Sequence, residues 1–253
     1  MDHKQTYQQI AKQLGKSKKW VQQQLDEYFP PIVYIEPQAT PLLIDAFYFG
    51  REKGFIVFRS PTLKKNLGWY EITKETVDDY ELGVMELISA GWIITGVTVD
   101  GKPGVIKRLE KLGLPVQMCH FHQIAIVTRY TTKNPRLPAA KELKELIHLI
   151  PKTDRASFEY WLDEWHSKWE VFLNEKTYDP IKDKWRFIHD RLRKAYRSLK
   201  RHMPNLFIYP YVNHLPNTTN SLDGHFAHVR DKLNVHRGLR WHRKMKVIYE
   251  LLS

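Results

Sequence analysis

Cysteine is almost missing from this chain: Cys119 is the single one in 253 residues. One thiol rules out an internal disulfide and a cysteine-based zinc finger, and it fits a reducing compartment. Long apolar runs are missing too. No stretch reaches the roughly 18 residues that a membrane span needs, and the opening MDHKQTYQQ lacks the apolar core of a signal peptide. The expectation is a cytoplasmic protein with no membrane partner. Acidic residues are scarce beside basic ones, 28 Asp and Glu against 40 Lys and Arg, which leaves a formal charge of +12. That balance favours a polyanionic partner, nucleic acid before an anionic membrane, although a merely soluble basic protein carries the same excess. Neither G-x-x-x-x-G-K nor H-E-x-x-H occurs, so NTP hydrolysis and zincin-type proteolysis have no support.

Aromatic residues, in contrast, make up 13% of the chain and include 8 Trp, which argues against disorder. The length suffices for one good core plus a small appendage. The stretch TVDGKPGVIKRLEKLGLPVQMCHFHQ, residues 98–123, organises the rest. An apolar run, WIITGVTV, reads as a buried strand with Asp100 at its C-terminal end. Gly101 and Gly104 break it, and Val105, Ile106, Leu109 and Leu112 follow at helical spacing. A short strand, PVQM, then delivers Cys119, His120 and His122. A carboxylate at a strand tip suits α/β catalysis, because the strand fixes the backbone while the tip stays open. An Asp before a Gly-Lys-Pro turn is equally good helix-capping chemistry.

Residues 5–28 have helix–turn–helix spacing. Tyr7, Ile10, Ala11 and Leu14 form one apolar face, Gly15 is the break, and Ser17 caps a second helix. Trp20, Val21 and Leu25 are expected inward, with Lys16, Lys18, Lys19, Gln22 and Gln23 outward, a face suited to the major groove. An ordinary helical hairpin docked on the main domain has the same pattern. Proline-rich residues 31–41 read as a linker. Three strands follow, 41–50, 55–60 and 68–73, joined by short turns into an antiparallel meander, then an amphipathic helix over 74–90.

Asp45 falls in the middle of the first strand, LLIDAFYF. Buried without a partner, it costs several kcal/mol; the alternative is a strand-edge residue facing solvent. Three antiparallel strands, a helix, a parallel strand, then helix, strand and helix is the element order of an RNase H-like fold, in which the first and fourth strands are neighbours. Asp45 and Asp100 would then stand near one another. Two crowded carboxylates need a neutralising dication, and Mg²⁺ accepts a sparse carboxylate set completed by water and phosphate oxygens.

Residues 136–212 are expected to be an all-helical insertion. Phe158, Trp161, Leu162, Trp165, Trp169 and Phe172 form one stripe, and Trp185, Ile188, Leu192, Tyr196 and Leu199 repeat it on the next helix, with Arg and Lys between. Packing explains the tryptophans best; base stacking is the rival role. The closing segment 213–253 has Leu222, Phe226, Val229 and Leu233 on one face and Asp223 in the first turn. Asn220 with Asp223 three residues on also makes a variant capping box. Arg237 and Arg240 are candidates for phosphate contacts or for capping.

Asp45, Asp100, the C-x-x-H of Cys119 and His122, and TTNSLDG followed by HRGL occur in the order found in Mutator-like insertion-sequence transposases of the MULE type, which the chain resembles over residues 41–130 and 213–252. The resemblance implies an α/β, RNase H-like mixed sheet with a helical insertion before the last catalytic helix, and a small helix–turn–helix over residues 1–30. The core would be split into 42–135 and 213–253. It implies that Asp45, Asp100 and Asp223 hold two Mg²⁺ or Mn²⁺ ions, which assist strand cutting at element ends and joining to target DNA. Where the family usually has Glu, this chain has Asp223, one methylene shorter. Cys119 and His122 are expected to support the acids rather than bind zinc, since two ligands are half of a zinc set. Lys16, Lys18, Lys19, Gln22, Arg237 and Arg240 would contact double-stranded DNA, and joining two ends implies a homodimer or larger assembly in a nucleoid-associated bacterial or archaeal protein. A domesticated DNA-binding protein and an RNase H-like nuclease remain alternatives.

Overall fold

The computed structural model describes residues 5–31, 34–50, 53–235 and 238–253. Two short helices open it, α1 (Tyr7–Leu14) and α2 (Lys18–Glu27). Thr6 and Gln9 close a capping box, Gly15 ends α1 in the left-handed region at φ 63°, and Ser17 caps α2. The pair docks on the last helix, α10 (Trp241–Leu252). Arg243 donates two hydrogen bonds to Asp26, at 2.6 and 2.7 Å, and Tyr28 donates one to Glu250 at 2.6 Å. This docking corrects two expected orientations. Trp20 is exposed, with the Lys16 ammonium 5.7 Å from its ring centre, while Gln22 is half-buried. The hairpin meets α10 through Leu25 and the C-terminal end of α2, so the Trp20 side of α2 is left in solvent.

The centre is a five-stranded sheet of β1 (Ala39–Phe49), β2 (Lys53–Ser60), β3 (Lys65–Ile72), β4 (Ile93–Val99) and β5 (Val116–Met118), in the order β3-β2-β1-β4-β5. The first three strands are antiparallel neighbours, and β4 and β5 run parallel to β1. β1 begins at Ala39, inside the stretch expected to be linker. Between strands lie α3 (Val77–Ser89) and α4 (Val105–Lys111), and α5 (His120–Thr131) follows β5.

The central strand β1 divides two cores. Leu42 and Ile44 face a large one that also takes in α3 to α5, together with α6 (Pro138–Ile147), α7 (Arg155–Leu173) and α8 (Asp190–Leu206). Leu43 and Phe47 face a smaller one built with α9 (Asn220–Val235) and α10. The helices expected as an insertion therefore share their apolar core with the sheet. That insertion is not all helical. Between α7 and α8 stands an antiparallel hairpin, β6 (Lys176–Asp179) and β7 (Lys184–Phe187), and Trp185 lies on it rather than on a helix. Of the tryptophan stripe, Trp165 is buried and its indole donates to the Ala139 carbonyl at 3.0 Å, whereas Trp161 is exposed. The closing segment 213–253 holds two helices, α9 and α10, where one was expected. Among the described residues no helix is long and apolar enough to cross a membrane.

Candidate functional site

Side chains alternate along β1, so Asp45 shares the face of Leu43 and Phe47. Both neighbours pack into the smaller core, and the Phe47 ring stacks on Phe226 of α9 at 4.2 Å. Asp45 is thus aimed at α9 and is 8% exposed. On β4 the pairing Leu43 with Thr98 puts Thr98 on the same face. Two residues further along each strand, the same register sets Asp100 beside Asp45. The expected adjacency of the first and fourth strands is what places them together.

Asp223 is brought to this face by its own helix, three residues ahead of Phe226. The loop before α9 is stitched to the sheet at three points. Thr98 Oγ1 donates to the Pro216 carbonyl at 2.6 Å, His120 N–H donates to the Asn217 carbonyl at 2.9 Å, and the Thr219 amide donates to Cys119 Sγ at 3.4 Å. Cys119 and Thr219 are fully buried. The lone cysteine therefore serves as a clasp between the starts of α5 and α9, and this positions His122 and Asp223. α9 begins at Asn220, one residue earlier than a cap at Asn220 requires, and the amides of Leu222 and Asp223 both reach the Thr219 carbonyl. Helix capping does not describe Asp100 either, because Gly104 is the cap of α4. Asp100 Oδ1 instead accepts the Lys102 amide at 2.9 Å, which holds the turn after β4.

The electrostatics show how closely these groups crowd. Burial pushes the Asp45 carboxyl up to about 7; the charge of Asp100 adds to the rise, His122 and the Ala46 amide oppose it, and Asp223 adds a smaller push. His122 is lifted to about 9, chiefly by its interaction with the Cys119 sulfur; burial works against it, and the charges of Asp45 and Asp100 add to it. For Cys119, burial alone would raise the thiol, but the donors of His122 and Thr219 outweigh it and hold the thiol below its usual value. Asp100, Asp223 and His122 are half-buried, so the cluster has an open side.

Asp100 and His122 line a cleft of about 1220 Å³, whereas Asp45 and Asp223 do not. Its walls carry Lys107 of α4, Arg129 of α5, and Lys194, Arg197 and Arg201 of α8, all exposed. On α8 these three repeat at helical spacing opposite the buried Leu192, Ala195 and Leu199. Lys107, Arg129 and Arg201 form no ion pair among the described residues, while Asp190 takes up Lys194 and Arg197 at 2.6 and 3.5 Å. Lys107, Arg129 and Arg201 were not expected from the sequence; on α8 the basic spacing was the available signal, and on α4 and α5 none singles them out.

The other expected contacts lie elsewhere. Lys16, Lys18 and Lys19 are exposed on the α1–α2 hairpin, and Arg240 is exposed where α10 begins; none lines the cleft. Arg237 lies outside the described residues. As to a metal, no three His, Cys, Asp or Glu side chains among the described residues converge on one point. The donor set is nevertheless hard oxygen, and His122 Nδ1 is a buried polar atom with no hydrogen-bond partner beside it. An open carboxylate set of this kind fits Mg²⁺, which keeps waters and takes phosphate oxygens, better than a fully caged ion. No family model matches the sequence, and no curated protein shows significant similarity to it.

Proposed function

We propose that the chain is a metal-dependent DNA transposase with an RNase H-like core, in which Asp45, Asp100 and Asp223 hold two Mg²⁺ or Mn²⁺ ions. The observation that carries this reading is the placement of Asp45, a buried acid on β1 whose register sets Asp100 beside it, on the face that α9 covers with Asp223 in its first turn. A sheet has little to gain from such crowding, and divalent cations relieve it. The pairing of β4 beside β1 supports the reading, since the expected fold has its first and fourth strands as neighbours.

Bound there, the ions would supply an activated water or 3′-hydroxyl and charge neutralisation at the leaving oxygen. The chain's own residues do the rest. Asp45 would offer its oxygens from β1 and Asp100 from the turn directly after β4, and Asp223 would add a third carboxylate from the first turn of α9. Cys119 holds His122 and α9 in place from beneath. The cationic walls of the cleft receive the phosphate backbone and lead it to Asp100. Exposed Lys16, Lys18 and Lys19 of the α1–α2 hairpin are placed for a second DNA contact, which suits recognition of element ends. A second reading, a DNA-binding relative that has lost the chemistry, is favoured by the short Asp223 and by the unconverged ligand set.

The test is cleavage of a labelled duplex carrying the ends of the encoding element, with Mg²⁺ or Mn²⁺, for wild type and Asp100→Ala. Metal-dependent nicking that disappears in Asp100→Ala, with joined products in the wild type, is the expected result. Tight binding without cleavage under either metal would favour the second reading.

A further inference from the structure

The hairpin between α7 and α8 carries exposed apolar side chains that have no role in the core. Ile181 at its tip is 93% exposed and Trp185 is 67% exposed. The register pairs Tyr178 with Trp185 and Lys176 with Phe187, so these four occupy one face. At the base of that face Phe187 is covered by Lys176 and by the Arg193 guanidinium, 3.6 Å from the ring centre. Towards the tip Tyr178 and Trp185 meet edge to face at 5.6 Å and are otherwise open to solvent.

The tip is built rather than loose. Asp179 Oδ1 accepts the amides of Ile181 and Lys182 at 3.2 and 3.3 Å, and the Tyr178 hydroxyl donates to Asp183. Both acids of the hairpin are thereby engaged inside it, Asp179 also facing Arg186 at 3.9 Å. Lys176, Lys182 and Lys184 form no ion pair among the described residues. An ordered ribbon that engages its acids within itself, leaves its lysines exposed and carries an apolar residue at the tip matches a nucleic-acid duplex. Phosphates meet the lysines, and the apolar tip lies against a base step.

Position supports the same partner. Arg193 of α8, which covers Phe187, directly precedes Lys194, and Lys194, Arg197 and Arg201 run down α8 into the cleft. From Asp190 to Arg201 the helix spans about 16 Å at 1.5 Å per residue, close to half a turn of B-DNA. We infer that the β6–β7 hairpin is a second duplex-DNA contact, at which Lys182 and Lys184 bind phosphates while Ile181 and Trp185 press on a base step away from the carboxylates. This rests on the reading that the chain engages DNA, and it does not require that DNA be cut.

The experiment uses the full chain, a fluorescent duplex and a chelator, so that no cleavage intervenes. Binding is followed by anisotropy across a salt series for wild type, Ile181→Ala, Trp185→Ala and the double variant Lys182→Ala/Lys184→Ala. The double variant is expected to lower the slope of log affinity against log salt by about two. Trp185→Ala is expected to weaken binding about tenfold at one salt concentration, with melting temperature unchanged because the residue is exposed. A duplex with 2-aminopurine should brighten on binding to wild type and not to Ile181→Ala. Unchanged affinity and slope in all three variants would overturn the inference, as would a loss of self-association in place of DNA affinity. A chain that binds through the hairpin and never cuts sinks the proposed chemistry alone. One that cuts with its hairpin variants unaffected sinks this inference alone.

Discussion

Asp45 keeps its proton to about pH 7 in the folded chain, whereas an unperturbed Asp ionises near 3.8. Between those values the folded state holds a proton that the unfolded state has released, so raising the pH through that window removes stability. His122 acts in the same direction at higher pH. Its contribution is complete below 6.5 and is lost as the pH rises through about 9. In a chelating buffer, the melting temperature of the wild type should fall more steeply between about pH 4 and 7 than that of Asp45→Asn; parallel curves would remove the shift assigned to Asp45. On the proposed reading a dication would replace the proton at that carboxylate, so added Mg²⁺ should raise the wild-type melting temperature more at pH 8 than at pH 5. At Asp223 the question is reach. Asp223→Glu should increase metal-dependent cleavage, and an unchanged or lower rate would show that the shorter side chain already fits.

Elements in this fold are set by close approaches that single residues control. Gly83 lies on the buried face of α3, and a Cβ there would sit 2.1 Å from the Phe58 ring. Gly→Ala within a helix ordinarily stabilises by about 1 kcal/mol. Here the ring fixes the opposite sign, and Gly83→Ala should lower the denaturation midpoint. Phe226→Ala should cost about 3–5 kcal/mol by emptying the stack against Phe47. It should also reduce cleavage by loosening the helix that carries Asp223. The same elements explain what the sequence revealed. β1, β2 and β4 are runs of apolar residues between turn signals; the short turn between β1 and β2 gave their pairing, while the place of β4 beside β1 came from the fold that the element order resembles. Asp45 and Asp100 were legible because a carboxylate interrupts or ends such a run. The β6–β7 hairpin was not, since Trp185, Ile188, Leu192, Tyr196 and Leu199 keep helical spacing across a boundary that only the Asp-Pro of the tip betrays. Nor was the outward turn of Trp20, which depends on where the hairpin docks, a tertiary fact with no local signature.

Across the whole molecule, the two ends of the chain close on each other. Asp26 is held down to about 2, first by its hydrogen bonds to Arg243, with burial opposing and the charges of Arg243 and His242 assisting. Lys246 donates to the carbonyls of Leu25, Asp26 and Tyr28, which are the open acceptors at the end of α2. All of these groups are near solvent, so the latch is weak and salt-sensitive. Arg243→Ala should speed proteolysis around residues 28–38 while leaving the melting of the sheet core in place. Equal proteolysis rates would mean that the apolar contacts of Leu25 and Val247 hold the hairpin without the ion pair.

Asp45 also has a meaning over generations of sequence drift. It is the one carboxylate in a strand whose neighbours Leu43, Ile44 and Phe47 are fully buried. A variant in which this acid had no role would gain stability by exchanging it for Val or Leu. A library randomised at position 45 and selected for thermal resistance alone should therefore fill with aliphatic residues. The Asp present in this chain then reads as a trace of selection for something other than folding.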